Sequence, residues 1–313
     1  MRIRGAAAAL ITPFTDKKIN EVDYGVDWDG LRKNVEFQNK HADFVVVNGT
    51  TGESATLSEQ EHEKVAEIAV GAAKIPVVAG TGSNCTREAL HYTRHAMDIG
   101  ADACLLVYPY YNRPPYDKVK QNYFGLIAGK VDIPIIMYLV PSRTGKNTEL
   151  PVDDVVELAK EHSNIIGIKE ATGKPERTKE ILGKVDRLDF VVLSGDDGHN
   201  CDICCMGGKG AISVIANILP DMISEQVKFG AEGKADDTRE IQNIINPLCE
   251  AVFLETNPIG IKQAMNMLGL PAGPLRPPLG SMTKENSARL KAVMDHLDRD
   301  GFFKNVREFY GQG

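Results

Sequence analysis

Short apolar runs rich in β-branched residues recur along most of the chain, each followed by a segment of helical spacing. They are Ala6 to Ile11, Phe44 to Val47, Ile75 to Ala79, Ala103 to Val107, Ile135 to Tyr138, Ile165 to Lys169, Phe190 to Leu193 and Ala211 to Ile215. Runs this short, with no polar alternation, read as strands buried on both faces, which is how strands of a parallel sheet look. The intervening segments include Ser58 to Ala73, Thr86 to Ile99, Pro151 to Glu161 and Lys174 to Leu182, and several open on Ser, Thr or Pro as helices do. Eight β-then-α units predict an α/β fold, a closed (β/α)8 TIM barrel whose chemistry sits on the loops after the strands. An open doubly wound sheet is the alternative. From about Asp221 the strand signal stops, and Asp236 to Val252, Pro258 to Leu268 and Lys284 to Leu297 read as helices, with the Pro-rich stretch Gly269 to Leu279 as an extended connector. The expected division is a catalytic barrel over 1–232 and a C-terminal helical appendage over 233–313.

Composition narrows the class. A chain of 313 residues fits one barrel of about 250 residues plus an appendage. A hydrophobic content of 42% and a charged content of 25% are those of an ordinary globular protein, and a net charge of -7 without a basic stripe argues against nucleic acid as partner. Arg2 and Arg4 precede an apolar run in the manner of a signal peptide, but the run is minimal and leads into Thr12-Pro13 without a cleavage site, so it reads as the first strand. Nothing approaches the length of a membrane span, and the expected location is cytoplasmic. The six cysteines do not form a disulfide framework. His199, Cys201, Cys204 and Cys205 raise the question of zinc, but no second pair lies at a finger-like spacing, and helix packing is the preferred reading.

Lys169 stands at the carboxyl end of the apolar run Ile165 to Ile168. An ammonium group in such surroundings loses hydration, its pKa falls, and the neutral amine becomes a nucleophile toward carbonyl carbon. The opposing reading is a lysine that snorkels from the strand end and pairs with Glu170 or another carboxylate. After the second run, Asn48-Gly49-Thr50-Thr51-Gly52-Glu53-Ser54 presents N–H groups and hydroxyls suited to a carboxylate, or is merely a Gly-rich turn with a helix cap. After the fourth, Tyr108 to Pro115 concentrates three tyrosines, which also suits an oligomer interface. After the fifth, Tyr138 is followed by Arg143, a residue able to grip a carboxylate bidentately. Asp196-Asp197 suggests a divalent metal less well than a loop-fixing role. No Walker A or Gly-x-Gly-x-x-Gly pattern supports a nucleotide.

Taken in order, GTTGES, PYYNRP, the Tyr138 to Gly145 segment, GIKEATG, LSGDD and GAISVIAN resemble the dihydrodipicolinate synthase family of the pyruvate-dependent class I aldolases, over nearly the whole chain. The resemblance implies that Lys169 forms an imine with pyruvate. It implies that Tyr138, Thr50 and, from a neighbouring subunit, Tyr111 relay protons, that Thr50 and Thr51 hold the pyruvate carboxylate, and that the Ile212 carbonyl faces the reacting centre. Arg143 would bind the carboxylate of L-aspartate 4-semialdehyde, and its presence speaks against the relatives that cleave keto-deoxy sugar acids or sialic acid. A non-catalytic pyruvate-binding protein is the reading from another class. No metal or organic cofactor is implied, and the implied assembly is a homotetramer, a dimer of dimers. Ser54, Ala55, His62, Asn84, Glu88 and Tyr110 match positions that bind inhibitory lysine in sensitive members, while Glu59 replaces a histidine found in some. Leu139 stands where the family usually has Asn; strand alternation is expected to turn it away from the site.

Overall fold

The computed structural model describes residues 3–187 and 189–312. Eight parallel strands close into a barrel: β1 (Gly5–Ala9), then, after a small hairpin of β2 (Phe14–Lys18) and β3 (Tyr24–Val26), β4 (Phe44–Val47), β5 (Val77–Gly80), β6 (Ala103–Val107), β7 (Ile135–Leu139), β8 (Ile165–Glu170), β9 (Val191–Ser194) and β10 (Gly210–Ser213). β1 pairs with both β4 and β10, which closes the ring. This is the (β/α)8 barrel that the eight runs predict. Six of the eight differ from expectation by one or two residues at an end, and for two of them the reason is local. β5 starts at Val77 rather than Ile75 because Pro76 has no N–H for the ladder. β10 stops at Ser213 because the N–H groups of Val214 and Ile215 turn aside to donate to the buried Asp197 carboxylate, at 2.8 and 3.1 Å.

Side chains alternate between two cores, as the pleat requires. Ala7, Phe44, Val46, Val78, Leu105, Ile136, Leu193 and Ile212 fill the barrel interior. Their neighbours Ala8, Val45, Val47, Leu106, Met137 and Ile168 face outward against the helices. Leu139 belongs to the outer layer and Tyr138 to the inner one, so the two point to opposite sides of the sheet.

The helices are cut cleanly. Ser58 caps the helix Glu59–Ala72 in a reciprocal capping box with Glu61. After β10 the chain is helical: Pro220–Ala231, Ala235–Val252, Ile259–Met267, Lys284–Arg299 and Lys304–Tyr310. These helices extend one outer core rather than building a separate one, since Ile245, Leu248, Val252, Ile261, Met265, Leu290 and Phe303 join Ala6, Ala8 and Val45 in a single cluster. No described helix is long and apolar enough to cross a membrane.

The hairpin is the one pair of strands the hydrophobic pattern does not announce. Phe14 is buried, while the residues that follow it, Thr15 to Lys18, are polar and mostly solvent-facing. The centre of its ring is 4.1 Å from Lys262 Nζ and 4.5 Å from Arg276 Cζ.

Candidate active site

Lys169 is the fifth residue of β8, and the pleat that sends Ile168 outward sends Lys169 in. It pairs in register with Tyr138 on β7 and Leu193 on β9. Gly195 makes the room: a Cβ there would come within 2.9 Å of the lysine's own Cγ and Cε. The lysine is only 6% exposed, and its Nζ lies 4.3 Å from the centre of the Tyr138 ring. Desolvation pushes its pKa down to about 8, against the pull of the Asp197 carboxylate. Glu170, the neighbour that would neutralise it in the bland reading, turns the other way and pairs with Arg177 at 3.1 Å. Among the described residues the buried amine has no ion-pair partner of its own, which favours its uncharged, nucleophilic form.

Around it the Tyr138 phenol is pushed up to about 12, chiefly by burial, with Arg143 and the Thr50 hydroxyl pulling back and Asp196 adding to the rise. Tyr138 is consequently protonated near neutrality and able to donate a hydrogen bond. Thr50 and Thr51 come from the loop after β4, and that loop is bracketed by two non-glycine residues in left-handed conformation, Asn48 at φ 56° and Glu53 at φ 53°. Each such residue costs about 1–3 kcal/mol unless its surroundings hold it. Asn48 is held by its amide, which donates to the His62 carbonyl at 2.8 Å. Glu53 is held inside the protein by Lys262 at 2.6 Å and by the Arg276 N–H at 3.1 Å.

Arg143 sits in the short helix Pro141–Thr144 after β7. Its guanidinium donates to Thr256 Oγ1 at 2.6 Å and to the Asn257 carbonyl at 3.0 Å. Lys169, Tyr138, Thr50, Thr51 and Arg143 together line one cavity of about 640 Å³ at the C-terminal mouth of the barrel. A buried amine, an undissociated phenol, two hydroxyls and a guanidinium around one cavity suit covalent capture of a keto acid.

The dihydrodipicolinate synthetase family model matches residues 2–297. The chain belongs to that family. It is 50% identical over 294 residues to the 4-hydroxy-tetrahydrodipicolinate synthase of Methanosarcina acetivorans, covering 94% of this chain and 98% of that one. The solved dihydrodipicolinate synthase from Aquifex aeolicus matches with a TM-score of 0.89 at 41% identity, over 95% of this chain and 98% of that one. The chloride-inhibited dihydrodipicolinate synthase from Acinetobacter baumannii, solved in complex with pyruvate, matches with a TM-score of 0.87 at 38% identity, over 94% and 98%.

Other residues that the family resemblance singles out fall elsewhere. Tyr111 is 85% exposed at a positive φ and takes no part in the cavity of its own chain. Ile212 lies in the barrel interior, and Val214 supplies the cavity wall after β10. Ser54, Ala55 and Tyr110 line a second cavity of about 310 Å³ that shares Thr50, Tyr138 and Arg143 with the first. Glu88 accepts from Ser83 and its charge, after burial, helps raise the Tyr110 pKa; the Asn84 backbone opposes that rise. His62 does not line the cavity: it stacks on Tyr92 at 3.9 Å, and burial pushes it down to about 4, so it is neutral.

Asp197 fixes a loop, accepting from Val214, Ile215 and Asn200. In the helix Asn200–Cys205 the sulfurs of Cys201 and Cys205 are 4.0 Å apart, and among the described residues no third His, Cys, Asp or Glu ligand atom joins them in a cluster. Sequence reasoning in this family missed Asn257, Lys262 and Arg276, all from the C-terminal helical part. The one available signal was an arginine set among prolines in the stretch Pro274 to Pro278.

Proposed function

We propose that Lys169 carries the condensation of pyruvate with L-aspartate 4-semialdehyde to 4-hydroxy-tetrahydrodipicolinate, on the route to diaminopimelate and lysine. The activity is that of a Schiff-base-forming lyase of the class I aldolase type. The observation that carries the assignment of residues is the buried Lys169 amine, held near pKa 8 against the Tyr138 ring and within one cavity of Thr50, Thr51 and Arg143.

The neutral amine attacks the ketone carbon of pyruvate, and the resulting carbinolamine loses water to give the imine. The imine's methyl group gives up a proton, and the enamine carbon so formed bonds to the aldehyde carbon of the second substrate. Its amine then attacks the imine carbon, closes the ring and expels Lys169. Protonated nitrogen is the electron sink throughout. Thr50 and Thr51 hold the pyruvate carboxylate, and Arg143, already steered by Thr256 and Asn257, takes the carboxylate of the aldehyde. Tyr138, a donor at neutral pH, passes protons together with Thr50 and with Tyr111 from a second copy of the chain. The exposure of Tyr111 on a loop tip supports that donation across an interface, in a dimer of dimers. The second cavity, with Ser54, Ala55 and Tyr110 in its wall and Glu88, His62 and Asn84 behind them, is read as the site of regulatory lysine.

Borohydride reduction in the presence of pyruvate tests the central step. The expected product is one stable adduct on the peptide containing Lys169, seen by mass spectrometry. An unmodified Lys169 with retained turnover would overturn the assignment.

A further inference from the structure

Thr51 is buried in the wall of the cavity, and its hydroxyl has one proton to give and two lone pairs to offer. One lone pair is taken: Asn257 Nδ2 donates to Thr51 Oγ1 at 2.9 Å, inside the protein and across 206 residues of sequence. Because the hydroxyl accepts from the amide, its own proton points elsewhere, and no protein acceptor takes it among the described residues. The cavity is what remains for that proton to face. The amide oxygen Oδ1 of Asn257 is likewise buried without a protein partner, and Asn257 lines both cavities.

We propose that Asn257 is a positioning residue for keto-acid capture: by donating to Thr51 it commits the Thr51 proton to the carboxylate of the substrate. The inference rests on the reading of Thr51 as a carboxylate ligand. It makes a distinction that packing alone would not. The side chain of Asn257 acts on Thr51, whereas its backbone carbonyl accepts from Arg143. Replacing the side chain leaves that carbonyl in place, so capture of the keto acid suffers and capture of the aldehyde does not. An aspartate is the sharper probe. It has the shape of asparagine but offers only oxygen atoms, so it draws the Thr51 proton to itself and sets a negative charge beside the substrate's own.

The test uses the full-length chain and measures KM for each substrate, together with the pyruvate concentration that half-saturates borohydride trapping, a readout independent of turnover. Asn257→Ala should raise the pyruvate value roughly tenfold, the worth of one hydrogen bond to a charged group, with the aldehyde KM within about twofold of wild type. Asn257→Asp, which preserves packing and guards against a misfolded alanine variant, should raise it further. In a Thr51→Val background, Asn257→Ala should add less than about twofold, because its route to the substrate is already gone. An equal effect of Asn257→Ala with and without Thr51→Val would overturn the proposal, as would a rise in the aldehyde KM alone. Absence of any trapped adduct in the wild-type chain would instead strike the parent reading of Lys169, so the two failures are told apart.

Discussion

Replacing Lys169 by methionine should stabilise the fold while abolishing catalysis. A lysine brought from its usual 10.5 to about 8 by desolvation, at 1.36 kcal/mol per pH unit, costs the folded chain about 3 kcal/mol wherever the amine is protonated in both folded and unfolded states. A gain of about 3 kcal/mol for Lys169→Met at pH 7 follows, since methionine fills a similar volume without a charge. The folded value lies below the unfolded one, so the penalty is full below pH 8, shrinks as pH rises from about 8 to 10.5, and vanishes above. Urea unfolding of wild type and variant, at one protein concentration and at pH 7 and pH 10, measures the difference. A variant less stable at pH 7, or an advantage equal at both values, would refute the claim that this amine is held against its own hydration.

The same pKa sets the rate of capture: initial trapping with pyruvate should climb between pH 6 and 8 and level off above, and a continued tenfold rise per unit beyond pH 9 would mark an ordinary lysine. Lys262→Met leaves the Glu53 carboxylate buried without its partner and should lower stability by about 3–5 kcal/mol in thermal or urea unfolding, with part recovered by adding Glu53→Gln; a loss under about 1 kcal/mol would contradict the buried-pair account. Millimolar L-lysine should slow turnover and bind by calorimetry, and Glu88→Gln should weaken both; silence in both assays removes the regulatory reading of the second cavity.

The barrel was legible because its strands are buried on both faces, so that Val45-Val46-Val47 or Ile135-Ile136-Met137 can hardly be read as anything else. The hairpin was not, because Thr15 to Lys18 carry their polar groups to solvent and leave no alternation to see. Lys169 could be singled out from the oddity of one charge at the end of an apolar strand, and the pleat by itself turns Glu170 to the other face; what local spacing could not show is that Arg177 holds it there. The hold on the Thr50–Thr51 loop was invisible for a different reason. Glu53 meets Lys262 across 209 residues and Asn257 meets Thr51 across 206, separations at which local spacing carries no information.

Those long-range ties set an order on synthesis. The strands that make the ring leave the ribosome first, and Thr256, Asn257, Lys262 and Arg276, which steady the mouth of that ring, follow only after the eighth strand is complete. A growing chain therefore carries all eight strands, Lys169 among them, before it carries the residues that brace the Thr50–Thr51 loop and Arg143.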